Sequence, residues 1–289
     1  MVIKILKKIS QTSIKKLGII VSCMLILTYI SCDNRKEEDN YEKPQRIEHL
    51  VLFKFKPDIT PTEKQEVINR FMALKNSLKN GKRYHNVEYG FQNSKEGLTQ
   101  GLEIGFRVTF SSEEDRDYYV GKPSLTLAGT YDQDHDDFKN FVGPYLDPNQ
   151  GVLVFDYNSN EKGNGSVPDT GYRLDHWVLF KFKKNITAAE KQEVINRFLA
   201  LRNSKKNGMP YISFLEYGFQ NSKENLDRGY EVGFRISFTS EADRDYYVGK
   251  PFLTTPNTFD PQHNDFKNFV GPYLDSNNGA FVFDYQVIR

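Results

Sequence analysis

Most of the signatures that announce a chemistry are missing from these 289 residues. There are two cysteines, Cys23 and Cys32, and no CxxC pair, so no thiol-redox motif or zinc ribbon is written into the chain. No P-loop, GxGxxG or HExxH motif occurs, which removes the common nucleotide and zinc-protease readings. An excess of one charge is also lacking. Thirty-nine basic side chains meet 38 acidic ones, the net charge is +1, and no basic stripe follows the first 20 residues, so nucleic acid is not an expected partner. Long apolar runs are scarce too: the stretch from Leu17 to Ile30 is too short for a comfortable membrane span. What remains is 38% hydrophobic and 14% aromatic content, enough for one large or two modest cores.

Lys4, Lys7, Lys8, Lys15 and Lys16 precede that apolar run, which ends in Ile30-Ser31-Cys32 and turns polar at once with DNRKEEDN. This is the layout of an export signal. With a small residue just before cysteine it resembles the lipobox of bacterial lipoproteins, Tyr29 standing where that motif usually has leucine. The resemblance implies cleavage before Cys32, lipid on its sulfur and acylation of the new amino group. It thus implies a membrane partner through Cys32 and a place in the bacterial cell envelope, anchored to the outer membrane at its periplasmic or outer face. Cys23 would leave with the signal, so no internal disulfide is expected. A plain signal peptide or a single anchor helix with an incidental cysteine is the alternative, and the acidic KEED run reads equally as a surface-sorting tether or a solvated spacer.

The rest of the chain is written twice. Residues 47 to 157 and 174 to 285 repeat one another, with identical runs EKQEVINRF, EYGFQNSKE, DRDYYVGKP, DFKNFVGPYLD and VFDY. Two units of this size are domains rather than solenoid repeats. The expected organisation is a signal peptide at 1–31, a polar tether at 32–46, a first domain at 47–157, a Gly/Asn/Ser/Pro linker at 158–173 and a second domain at 174–289.

Each unit parses alike. HLVLFKFK alternates as a strand, and Thr60-Pro61-Thr62-Glu63 opens a helix with a cap, a first-turn proline and a capping-box glutamate. Its apolar face is Val67, Ile68, Phe71, Leu74 and Leu78. Two strands, VEYGFQNS and LEIGFRVTF, follow, then the Ser-capped helix EEDRDYYV, a short helix in HDDFKNFVGPYL and a last strand GVLVFDY. The order β-α-β-β-α-β is the ferredoxin-like pattern of an α+β fold.

Alternation puts His49, Val51, Phe53 and Phe55 on one face of the first strand and Leu50, Leu52, Lys54 and Lys56 on the other. The aromatic face belongs under the helices. The second face is too apolar for water and too charged for a simple core. Packing the repeats sheet to sheet would cover Leu50, Leu52, Leu153 and Phe155 and let Lys54 and Lys181 reach Glu103 and Glu231, fixing register more than adding stability.

In this order HLVLFKFK, EKQEVINRF, the YGFQNS turn, a Tyr-to-Pro segment followed by H-x-x-F, and VFDY together resemble the stress-responsive A/B barrel family, the Dabb domains. The resemblance covers nearly everything after residue 46. Its members normally pair as homodimers, so it implies an intramolecular dimeric α/β barrel closed within one chain, and a monomer. The family includes boiling-stable stress proteins and a polyketide cyclase. The cyclase branch implies a pocket between sheet and helices in which a tyrosine and a histidine act on substrate. These fall on Tyr119 and His135 and on Tyr247 and His263, while the strand-one histidine falls on His49 and His176. The family's His-Pro-x-His is replaced by Lys122-Pro123 and Lys250-Pro251 with a long insertion before the later histidine, a change that could remake the pocket lip or dismantle the catalytic pair.

A histidine of near-neutral pKa can exchange a proton and a tyrosine hydroxyl can polarise a carbonyl, so aldol-type cyclisation or enolisation is within reach. The residues also allow core packing for the tyrosines, a satisfied core-edge role for His49 and His176, and for His135 and His263 a place as N-terminal residues of a short helix. The expected ligand-facing set is His49, Val51, Phe53 and Phe106, with His176, Val178, Phe180 and Phe234 in the second repeat. No metal site or cofactor is expected; the DQDHDD carboxylates thin to DPQHND in the second copy. Three functions stay open: binding of a small apolar ligand, a cofactor-free cyclase, isomerase or monooxygenase, and a stress-protective structural protein.

Overall fold

The computed structural model describes residues 46–161 and 171–289. Both cysteines, and with them the anchor expected at Cys32, lie outside those residues, as does most of the linker. Among the described residues no helix is long and apolar enough to cross a membrane.

The first repeat runs β1 (Ile47–Phe53), α1 (Pro61–Ala73), β2 (His85–Phe91), β3 (Ile104–Phe110), α2 (Glu113–Val120), α3 (Gln133–Val142) and β4 (Val152–Asn158). The chain then adds β5 (Asn160–Glu161). The second repeat holds β6 (Leu174–Phe180), α4 (Ala188–Ala200), the two-residue strands β7 (Lys205–Lys206) and β8 (Met209–Pro210), β9 (Phe214–Phe219), β10 (Val232–Phe238), α5 (Glu241–Val248), α6 (Pro261–Val270) and β11 (Ala280–Gln286). Each repeat is thus a ferredoxin-like unit with one extra helix. The caps work as the sequence implies: Thr60 and Glu63 complete a capping box on α1, and Ser112 and Asp132 cap α2 and α3. Leu78 falls beyond α1 and is exposed, because the helix tightens into a 3₁₀ turn and stops at Asn76.

The expected closed barrel is not formed. Hydrogen bonding gives two separate antiparallel sheets, one of four strands in the order β2-β3-β1-β4 and one of five in the order β11-β6-β10-β9-β5. The physical reason lies at the seams. The outer edge of β4 receives a loop of the second repeat, through Asn221 N–H to Asp156 C=O (2.9 Å) and Val154 N–H to Leu226 C=O (3.1 Å). The β2 edge meets β11 and the tail only at single bridges, Gln92 with Tyr285 and Tyr89 with Ile288. Only the two residues of β5, just past β4, pair with β9, and no ladder joins the two sheets, so the inference of a monomer from a barrel closed within the chain falls with it.

Three cores result. One lies between sheet and helices in each repeat, around Val51, Phe53 and Phe71 and around Val178, Phe180 and Phe198. The third lies between the sheets and joins Leu50, Leu52 and Phe155 to Trp177, Leu179 and Phe283. The charges there are not the expected ones. Lys54 and Lys181 sit just past the ends of their strands and turn to Asp147 (3.0 Å) and Asp275 (3.9 Å) of their own repeats. The interface instead holds a ring of ion pairs, buried except at the half-buried Arg46. Arg107 takes Glu48 (2.6 Å) and Glu88 (2.8 Å), Arg173 reaches back to Glu88, Arg235 takes Asp175 (3.3 Å) and Glu216 (2.6 Å), and Arg46 joins Glu216 to Glu48.

Candidate functional site

Between the sheet and α3 of the first repeat lies a cavity of about 200 Å³, and its counterpart in the second repeat has the same volume. The walls of the first are apolar, drawn from Val51, Phe53, Phe71, Phe138, Val142 and Val154, and four polar side chains enter it: His49, His135, Lys139 and Glu224. The second repeats this with His176, His263, Lys267 and Glu96.

His49 is placed by β-register. It stands opposite Asp156 on β4, and because directly opposed residues share a face, its Nδ1 meets Asp156 Oδ1 at 2.7 Å. The far oxygen of Asp156 takes Arg116 of α2 at 3.1 Å, and all three groups are buried. Burial opposes the imidazolium, but the Asp156 carboxylate outweighs it and holds His49 above its ordinary value. With Nδ1 engaged, Nε2 is the ring atom left for a ligand. His176, Asp284 and Arg244 copy the arrangement at 2.6 and 2.7 Å, and there the Asp284 carboxyl is held low: burial would raise it, but His176 and Arg244 prevail.

His135 opens α3. Its Nδ1–H donates to the Tyr119 carbonyl at 2.6 Å, which fixes the tautomer and leaves Nε2 as an acceptor. Burial, reinforced by Lys139, pushes its pKa well below the ordinary value, so the ring is neutral. Tyr119 stacks on it with ring centroids 3.9 Å apart. His263 and Tyr247 pair in the same way at 3.8 Å.

Of the residues expected to face a ligand, His49, Val51, Phe53 and His135 line the first cavity, and His176, Val178, Phe180 and His263 the second. Phe106 and Phe234 stand behind the walls, stacked on Phe71 and Phe198 at 3.8 Å. Tyr119 and Tyr247 back the histidines, each hydroxyl buried without a hydrogen-bond partner. Sequence reasoning passed over Asp156, Arg116, Lys139 and Glu224 and their copies. All eight stand inside the identical runs VFDY, DRDYYVGKP, DFKNFVGPYLD and EYGFQNSKE, so a search for charged residues on helix-facing positions of those runs would have found several of them. The DQDHDD carboxylates serve locally: Asp132 caps α3 and accepts from Tyr84, and Asp136 pairs with Lys122. Among the described residues no group of three His, Cys, Asp or Glu side chains is placed to hold a metal ion.

The sequence matches the Dabb description, stress responsive A/B barrel domain, over residues 47–159 and again over 174–287. The chain belongs to this family. Among solved structures, this double Dabb protein is similar to an anthrone oxidase-like protein, with 13% identity over 86% of this chain and 93% of that one and a TM-score of 0.55. It is also similar to a putative monooxygenase from Fusobacterium nucleatum subsp. nucleatum, with 10% identity over 86% and 94% of the two chains and a TM-score of 0.51. At such identities the likeness is one of fold. No curated protein matches the sequence.

Proposed function

We propose that this Dabb protein is an enzyme that moves protons on a small, largely apolar carbonyl compound, an isomerase or cyclase by chemical class, with one site in each repeat. The observation that carries the reading is the buried His49–Asp156 pair at 2.7 Å on the wall of an apolar cavity of about 200 Å³. Such a volume suits a molecule of about ten non-hydrogen atoms at interior packing density. Binding an apolar ligand is the first half of this function.

In the second half, His49 Nε2 takes a proton from the carbon beside the carbonyl. Asp156 fixes the tautomer and stabilises the imidazolium that forms, much as the carboxylate of a catalytic triad does. A second group or solvent protonates the carbonyl oxygen in the same step, and neutral His135 accepts a hydrogen bond from the enol hydroxyl through Nε2. Tyr119 is a positioning residue, supplying the carbonyl and the ring face that set His135. His176, Asp284, His263 and Tyr247 take these roles in the second repeat.

Phenylacetone in D2O provides the test, with loss of its α-proton signal followed by NMR. Exchange faster than in buffer is expected, falling by about 10²–10⁴-fold when His49→Gln and His176→Gln are combined. Wild-type exchange no faster than buffer would sink the proposal.

A further inference from the structure

The polar lining of each cavity includes one residue that its own repeat does not supply. Glu224 belongs to the loop between β9 and β10 of the second repeat, yet it lines the first cavity, and Glu96, between β2 and β3 of the first repeat, lines the second. Both loops are docked across the repeats in the same way. Arg116 donates to the carbonyl and side chain of Asn221 at 3.4 and 3.2 Å, and Lys223 pairs with Asp117 at 2.7 Å. Arg244 meets Asn93 at 3.3 and 3.1 Å, and Lys95 pairs with Asp245 at 2.8 Å. Arg116 therefore grips, in one side chain, the Asp156 that orients His49 and the loop that delivers Glu224.

Each glutamate ends in a buried oxygen, Oε2, that has no hydrogen-bond partner. A buried carboxyl oxygen left unpaired is costly, so its place on a cavity wall points to a ligand atom as its missing partner. In the second repeat the geometry is explicit: Glu96 Oε2 lies 4.0 Å from His176 Nε2, close enough for the two groups to serve neighbouring atoms of one ligand. The copies differ in one respect. Lys139 and Lys267 each donate to two carbonyls, those of Val120 and Lys122 and those of Val248 and Lys250, but only Lys267 also donates to the glutamate of its cavity, at Glu96 Oε1, 2.5 Å away.

We infer that Glu224, delivered by the second repeat, is the proton donor of the first cavity, and that Glu96, tied to Lys267, holds the same place in a slower second cavity. The inference rests on the proton-transfer reading above and names its second group. The C–H bond beside the carbonyl breaks toward His49 Nε2 while the carboxyl proton of Glu224 passes to the carbonyl oxygen. The products are an enol, an imidazolium and a carboxylate, and the reverse transfers, a proton returning from His49 to the α carbon and the enol proton returning to Glu224, regenerate the carbonyl compound with its α hydrogen exchanged and no other reactant consumed. Burial raises the Glu224 carboxyl and Asp156 adds to it, while His49, Lys139 and Arg116 pull the other way; the net shift is upward, which keeps the donor neutral to higher pH.

The test is α-proton exchange of phenylacetone in a His176→Gln background, which silences the second cavity. Adding Glu224→Gln, which keeps shape but carries no transferable proton, should lower kcat about tenfold or more with KM little changed. It should also remove the alkaline limb of the pH profile. Trp177 fluorescence checks that the variant is folded, and Glu224→Asp should restore part of the rate. If Glu224→Gln retains the parent rate and pH profile while His49→Gln loses the activity, the glutamate assignment is wrong and the proton-transfer reading stands. If the parent shows no exchange, whether or not phenylacetone binds, both are overturned.

Discussion

His49 and Asp156 face one another across β1 and β4, and their side chains meet at 2.7 Å inside the protein. Because the carboxylate raises His49 in the folded state, the pair contributes stability that is complete below about pH 6.5 and is lost as pH rises through the raised folded value. Asp156→Asn should bring the His49 titration down, read from its Cε1 proton by NMR, and erase that pH dependence. It should also cost about 3 kcal/mol, since Arg116 would lose a buried carboxylate. An unchanged His49 titration would show that the pair does not set its charge.

The ring of ions between the sheets predicts acid sensitivity. Burial alone would raise Glu88 and Glu216, but Arg107 and Arg173 around the first and Arg235 and Arg46 around the second hold each at about 2. Folded values below the unfolded ones mean stability that is present above about pH 4.5 and is lost as pH falls toward 2. The urea midpoint, followed through the single tryptophan, Trp177, should therefore drop steeply across that window. Glu88→Gln should lower the midpoint at neutral pH and flatten the acid limb. An acid limb of wild-type steepness in that variant would exclude Glu88 as a source.

Tyr119 predicts an unusual sign. Its hydroxyl is fully buried with no hydrogen-bond partner, and burial drives its pKa well upward. Tyr119→Phe removes an unsatisfied polar atom while keeping the stacked ring and the carbonyl that holds His135, so stability should rise by about 1 kcal/mol. A loss of stability in thermal unfolding would mean that the hydroxyl has a partner in solution.

How much of this was legible beforehand follows from what periodicity can and cannot encode. Alternation alone placed Phe53 toward the helices and Leu50 toward the other repeat, and both lie in those cores. Caps and breaks placed the helices. Seams are another matter, because whether an edge strand meets a ladder or a loop depends on how two docked sheets diverge, and Asn221 carries no local mark of bonding to Asp156. Lys54 and Glu103 looked like partners because they shared a face, but each sits at a strand end and finds a nearer charge. The site divided in the same way. His49 and His135 were visible as histidines on helix-facing positions, whereas Glu224 reaches its cavity only through contact between the repeats.

The last prediction concerns that contact directly. Gly105 on β3 faces the second sheet so closely that an added Cβ would lie 2.8 Å from both Leu52 Cδ2 and Phe283 Cε1. Both neighbours are buried among large rings, so neither can yield without displacing others, and Gly105→Ala should cost about 1–3 kcal/mol. Urea unfolding followed at Trp177, which lies in the inter-sheet core, reads the variant. If Gly105→Ala unfolds at the wild-type midpoint, the two sheets are not packed face to face at this point, and the route by which Glu224 reaches the first cavity would have to be redrawn.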